Sequence, residues 1–253
     1  MIRFDQVSYH YPGGPEVLRD ISFHIKEGER VGIIGANGAG KSTLLKAALG
    51  LIEVTGGEAS RRDESSSPSP ITVGGLPMTR ENLPAIRRIL GYVLQDSDNQ
   101  MFMPTVLEDM IFGPMNYGMS RREAEEKADE VLRRLKIEHL KTRQNHKISG
   151  GEKRMAAIAT ILAMEPRAVL MDEPSSSLDP RNRRRLIETL NSLPQTKVIA
   201  SHDLDLISDT CDRVLLLWNG QIRADGEAGR ILRDKELLEE CDLELPISLA
   251  RLI

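Results

Sequence analysis

The chain contains 253 residues, of which 40% are hydrophobic, 28% charged and only 4% aromatic. This composition is typical of a folded globular domain and excludes a disordered, fibrous or membrane-spanning chain. The net charge of −4 excludes a broad positive field that would attract nucleic acid or anionic lipid. Cys211 and Cys241 show no CxxC spacing, so we expect packed, reduced thiols instead of a disulfide framework. The first residues do not resemble a secretion signal, and we expect a cytoplasmic protein.

The N-terminal part of the sequence predicts short strands and one glycine-rich turn. Apolar and polar residues alternate through residues 2–25, and a Pro-Gly-Gly-Pro turn at residues 12–15 divides them, as expected for antiparallel strands. The apolar run at residues 31–34 predicts a buried strand, followed by a glycine-rich turn and a helix that begins near Lys41. Residues 57–70 are rich in Ser, Pro and charged side chains, and we expect a surface loop there.

The middle of the chain changes from strands to helices. A strand is predicted at residues 90–94, and residues 96–164 are mostly helical in pattern, which favours an inserted subdomain. Ser120 and Glu123 have the spacing of a capping box at the start of one such helix. The positions that follow share one helical face and are predicted to be buried: Ala124, Ala128, Val131, Leu132 and Leu135.

Strands return in the last third of the chain. The apolar runs at residues 168–171 and 197–200 predict buried parallel strands with a helix between them. Residues 213–223 predict a hairpin, because the Asn-Gly pair at 219–220 suits a type I′ turn. The charged tail, residues 229–253, is predicted to be a solvated helix, and a small contact surface is the alternative.

The turn after residues 31–34 matches the phosphate-binding loop pattern, with a strand before it and a helix after it. In such loops, backbone N–H groups and the helix N-terminus hold a phosphate, the lysine reaches the β- and γ-oxygens, and the serine ligates Mg²⁺. A purely structural glycine turn has no need for Lys41 and Ser42 at the start of the helix. The predicted nucleotide contacts are Gly35, Ala36, Asn37, Gly38, Ala39, Gly40, Lys41, Ser42 and Thr43.

Two acidic residues follow the apolar run at residues 168–171. The carboxyl ends of buried parallel strands are where such sheets bind ligands. Asp172 is the better candidate for the Mg²⁺ shell, and Glu173 for polarising the water that attacks the γ-phosphate. The alternative interpretation is an acidic cap on the next helix.

A Ser-Gly-Gly motif starts another predicted helix. Ser149, Gly150 and Gly151 are followed by Glu152, so a capping box is the structural interpretation, although a capped helix start with glycine amides is also an anion site. With the phosphate-binding loop, the motif resembles the Leu-Ser-Gly-Gly-Gln sequence of the ATP-binding-cassette (ABC) ATPases. Here Ile148 replaces the leucine and Glu152 replaces the glutamine.

This resemblance implies an α/β fold with a P-loop NTPase (RecA-like) core, an N-terminal antiparallel β-subdomain and an inserted α-helical subdomain. The nucleotide-binding core would comprise residues 1–95 and 165–228, and the helical subdomain residues 96–164. Residues 229–253 would form a C-terminal tail to this single ABC ATPase domain.

The resemblance also implies roles for further residues and names ATP and Mg²⁺ as the cofactors. Tyr11 lies where these ATPases stack an aromatic ring on adenine, and Gln95 where they sense Mg²⁺ and the attacking water. Asp179 lies in the expected D-loop, and His202 matches their switch histidine. The implied catalytic residues are Glu173, His202 and Gln95, and the implied metal ligands are Ser42, Gln95 and Asp172.

One chain carries only half of each site that the resemblance implies. In this family, ATP lies between the phosphate-binding loop of one subunit and the Ser-Gly-Gly helix of another. We therefore expect a second ATPase subunit, either an identical chain or a paralogue, in a head-to-tail dimer.

Residues 95–114 narrow the resemblance to the energy-coupling-factor (ECF) ATPases of the cobalt/nickel type. Their Gln-Asp-Pro-Asp-Asp-Gln run, Pro-Thr-Val and Phe-Gly-Pro are matched, except that Ser97 and Asn99 replace a proline and an aspartate. This implies a peripheral protein on the cytoplasmic face of the membrane, bound to the integral-membrane subunits of an importer for cobalt/nickel ions or a vitamin. A cluster of methionines could form a flexible groove for a membrane partner or pack in the subdomain core: Met101, Met103, Met110, Met115 and Met119.

Two other classes of protein compete with this interpretation. A soluble ABC ATPase in nucleic-acid maintenance or cofactor assembly is the main alternative, since a fold does not fix a function. The acidic balance argues against it, and we expect no nucleic-acid partner. A P-loop kinase or GTPase is disfavoured because neither gives a reason for the Ser-Gly-Gly motif at Ser149.

Overall fold

The computed structural model describes residues 1–56 and 69–250. The low-complexity segment for which a surface loop was expected lies outside the described residues, except for residues 69 and 70. None of the helices within the described part of the chain has both the length and the apolar character needed to cross a membrane.

The strands and helices alternate along most of the described chain. In order, the strands are β1 (Ile2–His10), β2 (Glu16–Ile25), β3 (Arg30–Ile34), β4 (Ile71–Val73), β5 (Leu76–Pro77), β6 (Leu90–Val93), β7 (Ala168–Asp172), β8 (Thr196–Ala200), β9 (Arg213–Trp218) and β10 (Gln221–Glu227). The helices are α1 (Lys41–Ala48), α2 (Leu83–Ile89), α3 (Val106–Asn116), α4 (Arg121–Leu135), α5 (Gly150–Leu162), α6 (Pro180–Ser192), α7 (Leu204–Thr210), α8 (Ala228–Ile231), α9 (Lys235–Glu240) and α10 (Ile247–Ala250).

A six-stranded sheet forms the centre of the fold, in the order β10-β9-β3-β8-β7-β6. The five strands from β9 to β6 are parallel, and only β10 is antiparallel to its neighbour. Every residue of β7 and β8 is buried, which explains why residues 168–171 and 198–200 are apolar runs without alternation. The carboxyl ends of β3, β6, β7 and β8 therefore meet at one edge of the sheet, where their loops form a single site.

The N-terminal strands form a separate four-stranded antiparallel sheet, in the order β2-β1-β4-β5. The alternating pattern of β1 buries Ile2 and Phe4 on one face, and the Phe4 ring stacks on Phe23 of β2 at 4.6 Å between centroids. This face packs with α1 and the central sheet in one hydrophobic cluster. The α/β fold class with an antiparallel N-terminal subdomain is thus confirmed.

Helices α3, α4 and α5 lie between β6 and β7 in the chain and pack on one another. The predicted capping box of α4 is present, and four of the five predicted face residues are buried, with Val131 partly buried. The methionines divide between the two alternatives. Met101 and Met110 pack in the core of this region, whereas Met115 is 40% exposed.

The tail prediction is wrong in its preferred form. Instead of one solvated helix, the described part of the tail contains α8, α9 and α10, and Leu232, Leu238 and Cys241 at the first two of these helices join the hydrophobic core. All three side chains are completely buried. Removing this apolar surface from water is worth more than the solvation of one longer charged helix, so the chain folds back at short intervals.

The hairpin and cysteine predictions are confirmed. Asn219 and Gly220 both have positive φ angles, 49° and 77°, as a type I′ turn requires. Cys211 and Cys241 are free and buried, and burial raises the pKa of the Cys211 thiol to about 12. Neither thiol is exposed enough to act as a surface nucleophile.

Candidate nucleotide site

The loop between β3 and α1 depends on glycines for its conformation. Gly35, Gly38 and Gly40 all have positive φ angles, of 153°, 83° and 105°. A Cβ atom on Gly35 would lie 2.4 Å from the carbonyl oxygen of Leu217, so no other residue fits there without moving β9. The glycines thus bring the backbone sharply from the end of β3 into the first turn of α1.

Lys41 lies at the start of α1 and is buried. Its Nζ donates hydrogen bonds to the carbonyl oxygens of Gly35, at 2.7 Å, and Ala36, at 3.3 Å. Burial lowers the pKa of the Lys41 amine, and the nearby carboxylates of Glu173 and Asp172 oppose this shift. The amine is therefore held against the loop to which it belongs, where a phosphate bound by the loop would meet it.

Asp172, the last residue of β7, has one carboxylate oxygen without a partner. The phenol of Tyr92 donates a hydrogen bond of 3.4 Å to Oδ2, but Oδ1 is buried and has no hydrogen-bond partner among the described residues. Burial raises the pKa of Asp172, and the Ser42 and Tyr92 hydroxyls offset part of the rise. A buried, unsatisfied oxygen beside a serine hydroxyl fits a hard cation such as Mg²⁺.

Glu173 differs from its neighbour because several donors satisfy its carboxylate. The buried Ser201 hydroxyl donates to Oε2 at 2.9 Å, and the backbone N–H of His202 donates to Oε1 at 3.1 Å. The ring Nδ1 of His202 lies 2.8 Å from Oε2, and Lys41 Nζ lies 4.0 Å from Oε1. Glu173 also has a positive φ of 45°, a conformation that non-glycine residues rarely adopt and that is often found at functional sites.

These elements enclose one open depression at the carboxyl edge of the sheet. Tyr11 forms one side of it, with its phenol 3.2 Å from the hydroxyl of Thr43 and its ring edge-to-face with Tyr9. Apart from Val17, all the residues that line the depression belong to the predicted site: Tyr11, Asn37, Gly38, Gly40, Lys41, Ser42, Thr43, Gln95, Glu173 and His202. Gly35, Ala36 and Ala39 supply the backbone of the same loop.

The Ser-Gly-Gly residues and Asp179 lie elsewhere on this chain and do not line the depression. Ser149 caps α5 through the predicted box with Glu152, and Asp179 caps α6 by accepting a hydrogen bond of 2.9 Å from the N–H of Asn182. A Cβ atom on Gly151 would lie 2.2 Å from the Asn182 side chain, so the two helix starts are in contact. One chain therefore brings together the phosphate-binding half of the predicted site only.

The sequence analysis did not identify two residues of the site. Ser201 and Tyr92 contact the two carboxylates, and each lies at or near the carboxyl end of a strand. The signal that could have found Ser201 is its place between the apolar strand β8 and His202. For Tyr92, the sequence offers no sign that β6 pairs beside β7.

The fold and the site define an ATPase with a phosphate-binding loop. The sequence model of the ABC transporter family matches residues 18–176. A putative ABC transporter ATP-binding protein of Geobacter sulfurreducens is 42% identical over 94% of this chain and 91% of its own length. The chain therefore belongs to the ABC transporter ATP-binding family, as the resemblance implied, and is an ATPase and not a P-loop kinase or GTPase.

Other similar proteins carry more specific descriptions. The energy-coupling factor transporter ATP-binding protein EcfA of Methanothermobacter thermautotrophicus is 39% identical over 97% of this chain and 77% of its own length. Among solved structures, cbiO1 of Clostridium perfringens, described as part of the ABC transporter complex cbiONQ, has a TM-score of 0.79 at 33% identity, covering 100% and 98% of the two chains. The cassette MJ0796, a dimer bound to ADP and Pi, has a TM-score of 0.76 at 27% identity, covering 90% and 99%.

Proposed function

We propose that this chain hydrolyses ATP as one half of a head-to-tail dimer and powers an ECF-type importer. The observation that carries the proposal is the separation of Lys41, Glu173 and His202, which share one depression, from Ser149 and Gly150, which do not line it. The Ser149 hydroxyl and the glycine amides at the start of α5 form an anion site that needs a phosphate from another chain. A second copy of this chain, related by two-fold symmetry, supplies two such complete sites.

Each side chain of the depression has a distinct task in this mechanism. Ser42 and Gln95, which line the depression, and the buried Asp172 at the end of β7 would hold Mg²⁺, and the buried free oxygen of Asp172 is the reason for its place in this set. Mg²⁺ supplies charge neutralisation on the β- and γ-phosphates when it is bound. Lys41 exchanges its contacts with the Gly35 and Ala36 carbonyls for phosphate oxygens.

Glu173 is the general base, and its neighbours control its orientation. Ser201 and the His202 N–H hold the carboxylate at the end of β7, and the His202 ring approaches it from the solvent side, where 63% of the histidine side chain is exposed. Closure of a second chain over the depression would exclude water from this ring and leave Glu173 to accept the proton of the attacking water. Tyr11 lies at the rim, where its ring can stack on the adenine.

An exposed aromatic surface near α3 supports a membrane partner. We define the α3 patch as Phe102, Phe112, Met115 and Tyr117, which are 65%, 41%, 40% and 37% exposed. The Phe102 and Phe112 rings meet edge-to-face at 5.1 Å, and the Arg88 guanidinium lies 4.8 Å from the centre of the Tyr117 ring. Exposed aromatic side chains that contact one another are typical of binding surfaces, and a short helix of a membrane subunit would match their apolar character.

The transported compound is proposed from the resemblance of one sequence segment alone. Cobalt or nickel ions are the first candidates because residues 95–114 resemble the ECF ATPases of the cobalt/nickel type, and a vitamin is the second candidate. Uptake of radiolabelled cobalt or nickel that depends on this chain would support the first, and uptake of a vitamin without metal uptake would support the second.

The soluble alternative in nucleic-acid maintenance or cofactor assembly makes a different prediction. It requires no membrane subunit, and the nucleic-acid form of it requires an affinity that falls steeply with salt concentration. The net charge of −4 and the α3 patch both favour the importer. Salt-sensitive binding of DNA or RNA by the purified chain would contradict the importer function.

The direct test of the catalytic assignment is the Glu173→Gln variant. Glutamine keeps the size of the side chain but cannot accept the proton, so we expect the hydrolysis rate to fall by roughly a hundredfold or more while ATP binding is retained. Glu188→Gln is the matched control, because Glu188 is an exposed residue of α6 and should leave hydrolysis unchanged. Hydrolysis by Glu173→Gln at the rate of this control would remove Glu173 as the base.

A further inference from the structure

The loop that carries Gln95 is bound directly to helix α5. Arg154, five residues after Ser149 on the same helix, is only 4% exposed. Its Nη1 donates a hydrogen bond of 2.6 Å to the carbonyl oxygen of Leu94, and its Nη2 donates one of 2.5 Å to that of Gln95. The two carbonyls flank the Gln95 Cα, so the guanidinium fixes the backbone from which the Gln95 side chain extends.

Gln100 makes the same connection from the other side. Its Oε1 accepts a hydrogen bond of 3.0 Å from the N–H of Leu94. Its Nε2 donates to the carbonyl oxygen of Ala157, at 2.7 Å, and to the Thr160 hydroxyl, at 3.1 Å, both on α5. An ion pair between Lys153 and Asp98 adds a third link. The loop is thus attached to α5 through side chains from both elements.

Breaking the contacts of Arg154 with the loop is energetically unfavourable. Burial lowers the pKa of the Arg154 guanidinium, and Asp96 opposes the shift, so the cation is partly desolvated while its partners are uncharged carbonyls. A planar guanidinium that serves two carbonyls cannot release one without leaving a buried donor unsatisfied. The attachment therefore favours movement of the loop together with α5 over movement of the loop alone.

We propose that Arg154 and Gln100 are positioning residues that fasten the Gln95 loop to the helix beginning at Ser149, so that the two move as one unit. The inference rests on the proposed function. In the proposed dimer, Ser149 reaches the ATP held by the partner chain, whereas Gln95 reaches the ATP of its own chain. The ATP held by the partner chain therefore influences the position of Gln95 at the ATP of its own chain, and ATP binding at the two sites becomes cooperative.

The experiment compares Arg154→Met, Arg154→Lys and Gln100→Leu with the matched control Arg134→Met. Arg134 also donates to a backbone carbonyl, that of Ser192, but it lies on α4 away from the depression. Hydrogen exchange of residues 94–100 reports the attachment in the ATP-free chain, and the ATP dependence of hydrolysis gives kcat, KM and the Hill coefficient. If Arg154→Met fails to fold, Gln100→Leu tests the same attachment through the second set of contacts.

For Arg154→Met and Gln100→Leu, we expect amide exchange at residues 94–100 to rise about tenfold and kcat to fall about tenfold, with KM within about twofold of wild type. The Hill coefficient should fall toward one. Arg154→Lys should recover part of each effect, because an ammonium can serve one carbonyl well but not two with the geometry of the fork. Arg134→Met should leave all of these quantities at their wild-type values.

Unchanged exchange and an unchanged Hill coefficient in both Arg154→Met and Gln100→Leu would overturn the inference. A failure of the proposed function has a different signature, because the wild-type chain would then neither hydrolyse ATP nor associate when ATP binds. In that case, the exchange of residues 94–100 in the ATP-free variants still decides whether Arg154 and Gln100 hold the loop. A loss of stability without a change in exchange at this loop would likewise overturn the positioning role.

Discussion

Asp172 and Glu173 are adjacent in sequence, yet their surroundings differ. The Glu173 carboxylate is satisfied by the Ser201 hydroxyl and the His202 N–H, whereas Asp172 keeps one buried oxygen without a partner among the described residues. A buried carboxylate oxygen without a partner is unfavourable inside a protein, and the hydrogen bond from Tyr92 to the other oxygen of Asp172 does not remove this cost. Asp172 thus has an unsatisfied oxygen among the described residues, whereas the Glu173 carboxylate is oriented by hydrogen-bond donors.

The pH dependence of stability follows from the Asp172 environment. Burial raises the pKa of Asp172 above its ordinary value, so between those two values the folded chain binds more protons than the unfolded chain. The free energy of unfolding therefore falls as pH rises through this window, and the loss remains at neutral pH. Asp172→Asn removes the buried charge, and we expect it to raise the free energy of unfolding of the metal-free protein by about 1 kcal/mol at neutral pH.

Denaturant unfolding at mildly acidic and at neutral pH measures this effect. The gain of Asp172→Asn over wild type should shrink as the pH falls, because the raised pKa lets wild-type Asp172 take up a proton more readily than an ordinary aspartate. Hydrolysis should be lost at every pH, because the amide is a poor ligand for Mg²⁺. Asp129→Asn is the control, since Asp129 pairs with Lys141 at the surface and should change stability little. A destabilised Asp172→Asn at neutral pH would contradict the assignment of an unsatisfied carboxylate.

At the scale of elements, two helices begin with the same structure and differ in function. Ser120 caps α4 and Ser149 caps α5, each in a complete capping box with the glutamate three residues later. Replacement of either serine by alanine removes a cap, and we expect each variant to lose about 1 kcal/mol of stability. Only Ser149→Ala should also lose hydrolysis, because only this helix start faces the ATP of the partner chain in the proposed dimer.

The comparison of these two variants isolates the functional contribution of the cap. Thermal unfolding gives the stability change, and the rate of ATP hydrolysis at saturating ATP gives the activity. Equal losses of activity in Ser120→Ala and Ser149→Ala would show that activity follows stability alone. That outcome would contradict the role of the Ser149 helix as an anion site.

Local signals predicted the elements that depend on local chemistry. The phosphate-binding loop and the Asn-Gly turn at residues 219–220 need particular backbone angles, which restrict the residues allowed, so the sequence reveals them. The tail was misjudged because its charged residues dominate the pattern, while the buried Leu232 and Leu238 depend on contacts with the rest of the core. Ser201 was missed for the same reason, since its partner Glu173 follows the neighbouring strand β7.

The methionines show that composition alone does not predict which side chains of a segment are exposed. A run rich in one flexible apolar residue does not state which members face the core. Met110 lies on the inner face of α3 and Met115 on its outer face, a difference set by helical rotation and by the position of α4. Only the outward-facing part of the run contributes to the α3 patch.

At the scale of the whole molecule, the α3 patch predicts a separation of hydrolysis from transport. Phe112→Ala removes an exposed ring that contacts Phe102 but no residue of the depression. We expect basal hydrolysis to stay within about twofold of wild type, while binding to the membrane subunit and substrate uptake fall by about tenfold or more, as for a central aromatic contact of an interface.

Uptake by cells that express the complete transporter, together with hydrolysis by the purified chain, measures both quantities. Ile247→Ala is the control, because Ile247 is an apolar residue that is more exposed than Phe112, 67% against 41%, and lies on α10 near the end of the described chain. If Phe112→Ala supports wild-type uptake, or if Ile247→Ala impairs it equally, the α3 patch is not the docking surface.

The central claim is that this chain is half of an ATPase whose sites are completed by a second copy. The most direct test is the solution mass of Glu173→Gln, which binds ATP but should not hydrolyse it. We predict that ATP with Mg²⁺ doubles the mass from the 28.2 kDa of one chain, that ADP does not, and that Ser149→Arg in the same background prevents the change. A Glu173→Gln chain that is saturated with ATP and keeps the mass of a single chain would contradict the account.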